Sequence, residues 1–136
     1  MAARLCLDCG LNKLKENPDD ELLNTKKSWF WFTYILDKAF SLSLGRSPNF
    51  SDYDITIAYP DLPSTPTYEI IVIWFDCAKI QGKVYEQLYS AQGKLQDVET
   101  KTQVARRLAT EFLDLRRRCQ VCPRPYLNRF IFLIQI

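Results

Sequence analysis

The sequence predicts an all-α fold: an irregular bundle or array of about four helices with one long proline-rich loop over about residues 46–67. Three observations carry this. Apolar residues recur at three- and four-residue steps through several long stretches. Residues that start and stop helices bracket those stretches. Between two of them, Pro48, Pro60, Pro63 and Pro66 gather in one interval with turn formers at Asn49, Ser51, Asp52 and Asp54. A chain of 136 residues that is 47% hydrophobic and 25% charged fits one packed domain and not a disordered segment.

From Met1 to Cys9, Ala2, Leu5, Cys6 and Cys9 sit at helical spacing and end at Gly10, which suits a left-handed stop. Asn17-Pro18-Asp19-Asp20-Glu21 reads as a helix start, with an Asn cap, Pro at the first position and acids at the positive end of the dipole. The helix it opens is expected from about Pro18 to Leu44. Within it Trp29 to Phe40 is apolar nearly all round, the pattern of a helix buried on several sides. Gly45 ends it and Pro48 blocks its resumption.

After the loop, Tyr68 to Tyr89 carries two stripes at helical steps, one through Ile70, Ile73, Cys77 and Ile80, the other through Ile71, Phe75, Ala78 and Tyr85. "EIIVIWF" alone would suit a buried strand, but the stripes persist for more than five turns and predict a helix. Asp97 to Arg118 is amphipathic, with Val98, Val104, Ala105, Leu108, Phe112 and Leu115 on one face. Residues 119–136 change character, with two prolines and then an apolar, β-prone run. The chain therefore divides into 1–118 and an atypical tail, 119–136, whose abrupt composition suggests a frame change or an unspliced intron.

Composition excludes much. There is no His, which removes imidazole acid-base chemistry, most metal sites and the usual triads. A net charge of +2 is too small to direct the chain toward nucleic acid or anionic lipid. No apolar run is long enough to span a membrane and no leader pattern opens the chain, so a soluble intracellular protein is expected. Five cysteines suit reduced thiols better than a disulfide framework.

Each candidate site has a plainer structural reading beside it. Cys6/Cys9 and Cys119/Cys122 are two CxxC pairs, but they lie too far apart in the chain for a zinc ribbon, and core or incidental cysteines are the better reading. Arg106, Arg107, Arg116, Arg117, Arg118, Arg124 and Arg129 could meet phosphates, yet arginines at a helix C-terminus are also what the dipole favours. Trp29, Phe30, Trp31, Phe32 and Tyr34 could stack bases, yet at helical spacing they read as core. Asp52, Asp54 and Glu69 have no accompanying base, phosphate loop or second carboxylate pair, so no enzyme, catalytic residue or metal site is expected.

Asp37 lies in the aromatic block, where an unpaired carboxylate is costly. It must sit at an edge or meet a cation, and Arg46, beyond the Gly45 stop, can fold back to it or reach another helix; a structural role is expected for this pair, with a ligand-facing one as the lesser option.

Three ordered passages resemble a known family. "AARLCLDCGLNKL", with Gly10 and Leu11 at its end, is similar to the helix and turn that open the middle regulatory region of fungal zinc-cluster transcription factors, the fungal-specific transcription factor domain. "KKSWFWFTYILDKAFSLSLGRSPNFSDYDITIAYP" resembles that family's most distinctive passage, through Trp29, Trp31, Leu36, Asp37, Leu44, Gly45, Arg46, Pro48, Asp52, Asp54 and Ile55. "VYEQLYS", with Tyr85, Leu88 and Tyr89, resembles a later helix. The departures are Asn12 for a usual His, Lys38 for a usual Arg, Ser47 before Pro48, and Ala58-Tyr59-Pro60 where Leu-Pro is common.

The resemblance implies an all-helical, nuclear regulatory domain that does not itself touch DNA and answers to a small-molecule effector or a coregulator protein. It implies no cofactor in this chain: the family's zinc belongs to a separate six-cysteine DNA-binding cluster, which neither CxxC pair matches. The chain is thus expected to be a partial domain. A free-standing helical interaction or ligand-binding protein, or a truncated gene product, is the alternative.

Overall fold

The computed structural model describes residues 2–61 and 66–120, and among these all regular structure is helical. The helices are α1 (Ala2–Asp8), α2 (Leu23–Leu44), α3 (Pro66–Val84), α4 (Ala91–Leu95) and α5 (Val98–Gln120). Short 3-10 turns occupy Leu11–Lys13 and Asp52–Asp54, and α3 widens into a π turn at Tyr85–Tyr89. The all-α expectation holds. Cys122, Arg124, Arg129 and the apolar end of the tail lie outside the described residues, as does Pro63 in the expected loop.

The start of α2 is a correction to the sequence reading. Asn17 does accept a backbone N–H through its side chain, but from Asp19, two residues on, and Asp20 accepts in the same way from Leu22. These local bonds hold 17–22 in turns that compete with the helix, so α2 begins at Leu23. Its end is as the sequence implies. Gly45 sits at φ +62°, its N–H reaches the Leu42 carbonyl at 3.2 Å and the Arg46 N–H reaches Ser41 at 2.9 Å, satisfying two carbonyls of the last turn. Gly10, at φ +66°, likewise follows α1.

The last turn of the predicted 68–89 helix is where the structure departs from a uniform α-helix. The Ser90 N–H bonds the Tyr85 carbonyl, and the Ser90 hydroxyl caps α4 by accepting from Gly93 at 2.9 Å. Asp97 caps α5, accepting from the Thr100 N–H at 2.8 Å, which holds its carboxyl below the usual carboxylate range.

Helix α3 is the central element: α2 packs on one side of it and α5 on the other. On the α2 side Phe30, Trp31, Tyr34, Phe50, Ile57, Phe75 and Ala78 form the main core, joined by Ala3 and Cys6 of α1. Phe30 meets Phe50 at 5.1 Å and Trp31 at 5.4 Å between ring centroids, both edge-on, the favoured arrangement for aromatic pairs. On the α5 side a smaller cluster joins Ile73, Cys77 and Ile80 to Leu115, with Phe112 and Cys119 packed against it.

Two apolar expectations fail. Val98 and Ala105, placed by spacing on the inner face of α5, are exposed. More consequentially, α2 is not buried on several sides, because Trp29, Phe32, Leu36, Phe40 and Leu44 are exposed. The buried face of α2 is the one that carries Lys27, Phe30, Trp31, Tyr34, Asp37, Lys38 and Ser41. Periodicity could not separate the two faces, since both are apolar.

Candidate functional site

The segment after α2 is pinned to the helix by two charged side chains that the core encloses. Asp37 accepts from the Asn49 N–H at 2.9 Å, the Asn49 side-chain amide at 2.6 Å and the Phe50 N–H at 3.0 Å. This corrects the expected Asp37–Arg46 pair. The burial cost of the carboxylate is met by backbone and amide donors, and Arg46 is exposed with no side-chain partner among the described residues.

Lys38, next in the chain, is 3% exposed. Its ammonium donates to the Phe50 carbonyl at 2.8 Å, pairs with Asp52 at 2.7 Å and lies 5.1 Å from the Tyr34 ring centroid. Tyr34 donates its hydroxyl to the same Asp52 carboxylate at 2.9 Å. Burial, then the Asp52 charge, pushes the Tyr34 phenol far above its ordinary value, so it remains a donor. The Lys38 stem passes Gly82 of α3, where an added Cβ would lie 3.1 Å from it.

A second tie comes from Asn12. Buried in the turn after α1, it donates its side-chain amide to the Asp54 carbonyl at 2.8 Å, while its own carbonyl accepts from Thr56 at 2.9 Å and Ile57 at 3.3 Å. Asp54 also pairs with Lys13, so both loop acids are engaged in holding the segment. Further on, the Trp31 indole N–H donates to the Ala58 carbonyl at 2.9 Å.

These ties hold residues 52–59 across α2 and α3 and leave a cleft of about 370 Å³ between them. Trp31 and Tyr34 form its aromatic wall, Ile55 to Tyr59 one rim, and Lys79 and Lys83 of α3 the other. Lys79 has no carboxylate partner among the described residues. It lies 4.6 Å from the Tyr59 ring centroid and 5.3 Å from that of Trp31, and donates to the Tyr59 hydroxyl at 2.6 Å. Tyr59 in turn donates to Asp76 at 3.0 Å, and Asp76 accepts from Arg118 of α5 at 2.9 Å. Burial and the Asp76 charge hold the Tyr59 phenol well above its usual value. Lys83 is neutralised by Glu111 at 2.7 Å. The arrangement offers one under-compensated cation beside two aromatic rings, a combination suited to an anionic ligand with a planar or apolar body.

Of the residues singled out in the sequence, Trp31, Tyr34, Asp52 and Ile55 line this cleft, and Asp37 and Asp54 support it. Pro48 and Tyr85 border a second hollow, also about 370 Å³, on the other side of Asp52. Leu11 packs at the edge of the main core, whereas Gly10, Trp29, Leu36, Leu44 and Arg46 take no part in either hollow. Leu88 and Tyr89 lie in the π turn. Sequence reasoning missed Lys79, Tyr59 and Asp76. The available signal was a lysine within an otherwise apolar stretch of α3, three residues after an acid. Among the described residues no three Cys, Asp or Glu side chains converge as a metal site. No helix among them is long and apolar enough to cross a membrane.

Comparison with known proteins agrees with the resemblance. Residues 1–66 match the fungal specific transcription factor domain, a span that includes Asn12, Asp37, Asp52 and their ties but not Lys79 or Lys83. A Candida glabrata protein described as a negative regulator of pleiotropic drug resistance, STB5, is 26% identical over 125 residues, which cover 85% of this chain and 12% of that protein. The chain thus spans about an eighth of the length of that curated relative. No solved structure matches.

Proposed function

We propose that this chain is a regulatory module of a fungal zinc-cluster transcription regulator, one that does not touch DNA itself and transmits the binding of a small anionic effector to its helices. The match of residues 1–66 to the fungal specific transcription factor domain carries the reading, and it supports a role in transcription regulation. The residues of that match are the ones whose hydrogen bonds build the floor and one rim of the cleft. In this reading DNA is reached through a zinc-cluster domain encoded separately, zinc belongs to that domain, and the module works in the nucleus without chemistry of its own.

The cleft suggests how an effector would be felt. An anion that recruits Lys79 competes with the Tyr59 hydroxyl for its ammonium. Tyr59 links that ammonium through Asp76 to Arg118, so the competition reaches the contact of α3 with α5. The effector would then bias the packing of α5 by its differential affinity for two arrangements, which is all that a ligand-driven switch requires.

The test is to tether the chain to an unrelated DNA-binding domain upstream of a reporter in a fungal cell. A several-fold change in reporter output relative to the DNA-binding domain alone is expected, and Lys79→Glu should remove the change while leaving protein level unaltered. Reporter output equal to that of the DNA-binding domain alone would refute the regulatory reading and favour a free-standing ligand-binding protein.

A further inference from the structure

Cys77 of α3 and Cys119 of α5 are free thiols in one small apolar cluster, and the cleft and its ties use neither. Two ion pairs fix how these helices lie on each other. Arg118 reaches Asp76 at 2.9 Å, and Lys83 reaches Glu111 at 2.7 Å. On each helix the two paired residues stand seven apart, and their order is opposite, so α3 and α5 run antiparallel in one register over two turns.

Cys77 follows Asp76 and Cys119 follows Arg118. In antiparallel helices these single steps displace the two residues by only about 3 Å along the axes from the level of the ion pair. The accompanying turn of about 100° carries each from the flank toward the seam, where Cys77 is enclosed by Ile73, Ile80 and Leu115 and Cys119 packs against them. Packed helices stand about 8–10 Å apart, and Cα atoms that face each other across such a seam come within the roughly 4.4–6.8 Å that a disulfide spans. The two sulfurs also act on each other: after burial, the charge of Cys119 is what raises the Cys77 thiol.

Their access to solvent is unequal. Cys77 is 8% exposed, whereas Cys119 is only half-buried, so an oxidant arriving from water meets Cys119 first with Cys77 behind it.

We propose that Cys77 and Cys119 form a redox pair, which hydrogen peroxide converts to a disulfide that latches α5 onto α3. The Cys119 thiolate attacks one peroxide oxygen, the O–O bond breaks, and the departing hydroxide takes up a proton as water, leaving a sulfenic acid. The Cys77 thiolate then attacks that sulfur, the S–O bond breaks, and the second hydroxide leaves as water. Two thiols and one peroxide thus give one disulfide and two waters, the sulfurs losing the two electrons that the peroxide gains. Burial holds both thiols above their ordinary range, so they are protonated at neutral pH, closure is slow and the reduced pair is the resting state. Once formed, the bond lies next to Arg118–Asp76 and replaces a partly exposed ion pair as the tie that decides whether α5 can leave α3. This holds whether or not the cleft takes an effector.

The experiment is oxidation of the full 136-residue chain with stoichiometric hydrogen peroxide at pH 8, followed by digestion without reductant and mass mapping, with the same reaction in urea as the control. Loop closure alone favours the near neighbours Cys6–Cys9 and Cys119–Cys122, and these are the products expected in urea. From the native chain a peptide joining Cys77 to Cys119 is expected, lighter by two hydrogens than its reduced halves and separated by dithiothreitol. Cys77→Ser and Cys119→Ser should each abolish it, and Cys9→Ser should leave it unchanged; Cys119 is half-buried, so its variant keeps the fold even where Cys77→Ser does not. In the latched protein the amides of α5 should exchange at least about tenfold more slowly than in the reduced protein, with those of α2 unaltered. Native products identical to those in urea, a Cys119 that stops at the sulfinic acid with no link to Cys77, or a link that leaves α5 exchange unchanged would each overturn the proposal.

Discussion

Asp37 is the residue on which the position of the segment after α2 depends. Its two oxygens accept from two backbone N–H groups and one side-chain amide, and if the carboxylate is removed the buried Phe50 N–H has no other partner among the described residues. Asp37→Ala is expected to cost about 2–4 kcal/mol in urea unfolding, the sum of lost charge-assisted bonds and stranded donors. Asp37→Asn should cost nearly as much despite its shape, because one of its two acceptors becomes a donor aimed at N–H groups. A loss below about 1 kcal/mol for the Asn variant would show that the carboxylate is not needed as an acceptor at both oxygens.

Cysteine chemistry is set by burial in the same way. Cys77 is enclosed in the α3–α5 cluster, and burial, with a smaller contribution from Cys119, pushes its thiol up from 9.0 to about 11. The folded state therefore holds this proton more tightly than the unfolded chain. The stability Cys77 contributes is full below about pH 9 and is lost as pH rises toward 11, a decline visible as falling urea midpoints over that window. Two pH units also leave roughly a hundredfold less thiolate at neutral pH, so Cys77 should be alkylated far more slowly than exposed Cys9 in the native protein. Rates within a few-fold of each other would mean that the α3–α5 contact opens readily.

At the scale of the element, α2 shows which local signals are decisive. Gly45 closes it at a positive φ, and a Cβ there would meet no heavy atom within 4 Å, so the constraint is in the backbone alone. Gly45→Ala should destabilise by about 1 kcal/mol and Gly45→Asn by clearly less, because Asn tolerates the left-handed region. Equal losses in chemical denaturation would point to packing instead. Gly93 is the opposite case: a Cβ there would lie 2.7 Å from the Gln87 carbonyl oxygen, so any side chain must push α4 off the π turn.

The Gly45 stop was legible in the sequence because a glycine after a long apolar helix has one strong structural use. The start of α2 was not, because Asn17 and Asp20 satisfy the turn before the helix as well as they would satisfy its first turn. The all-round apolar character of Trp29 to Phe40 was legible too, but it fixes only that both faces avoid water. Which one meets α3 is decided by Trp31, Tyr34 and Asp37 finding partners across the chain. The cleft was less legible still: Lys79 and Tyr59 meet across 20 residues of sequence, through tertiary packing that no spacing rule encodes.

For the molecule as a whole, the two clusters that flank α3 are unequal, and the inequality has a consequence for how the domain opens. The α2 side buries five aromatic rings, Phe30, Trp31, Tyr34, Phe50 and Phe75, and ties its segments with Asp37, Lys38 and Asn12. The α5 side buries Leu115 against Ile73, Cys77 and Ile80, and its polar ties, Lys83–Glu111 and Arg118–Asp76, are partly open to water, where such pairs are worth at most about 1 kcal/mol. Less apolar area is removed from water there, so separating α5 from α3 costs less than separating α2. Native-state hydrogen exchange should therefore show the amides of α5 opening as a unit at lower free energy than those of α2 and the first part of α3. Because Arg118 ends the chain of bonds that begins at Lys79, an anion held in the cleft would be expected to change α5 protection before any other element's. Exchange of α5 and α2 at one common free energy, with or without such an anion, would show the two clusters to be a single cooperative unit and leave the cleft without a separate element to move.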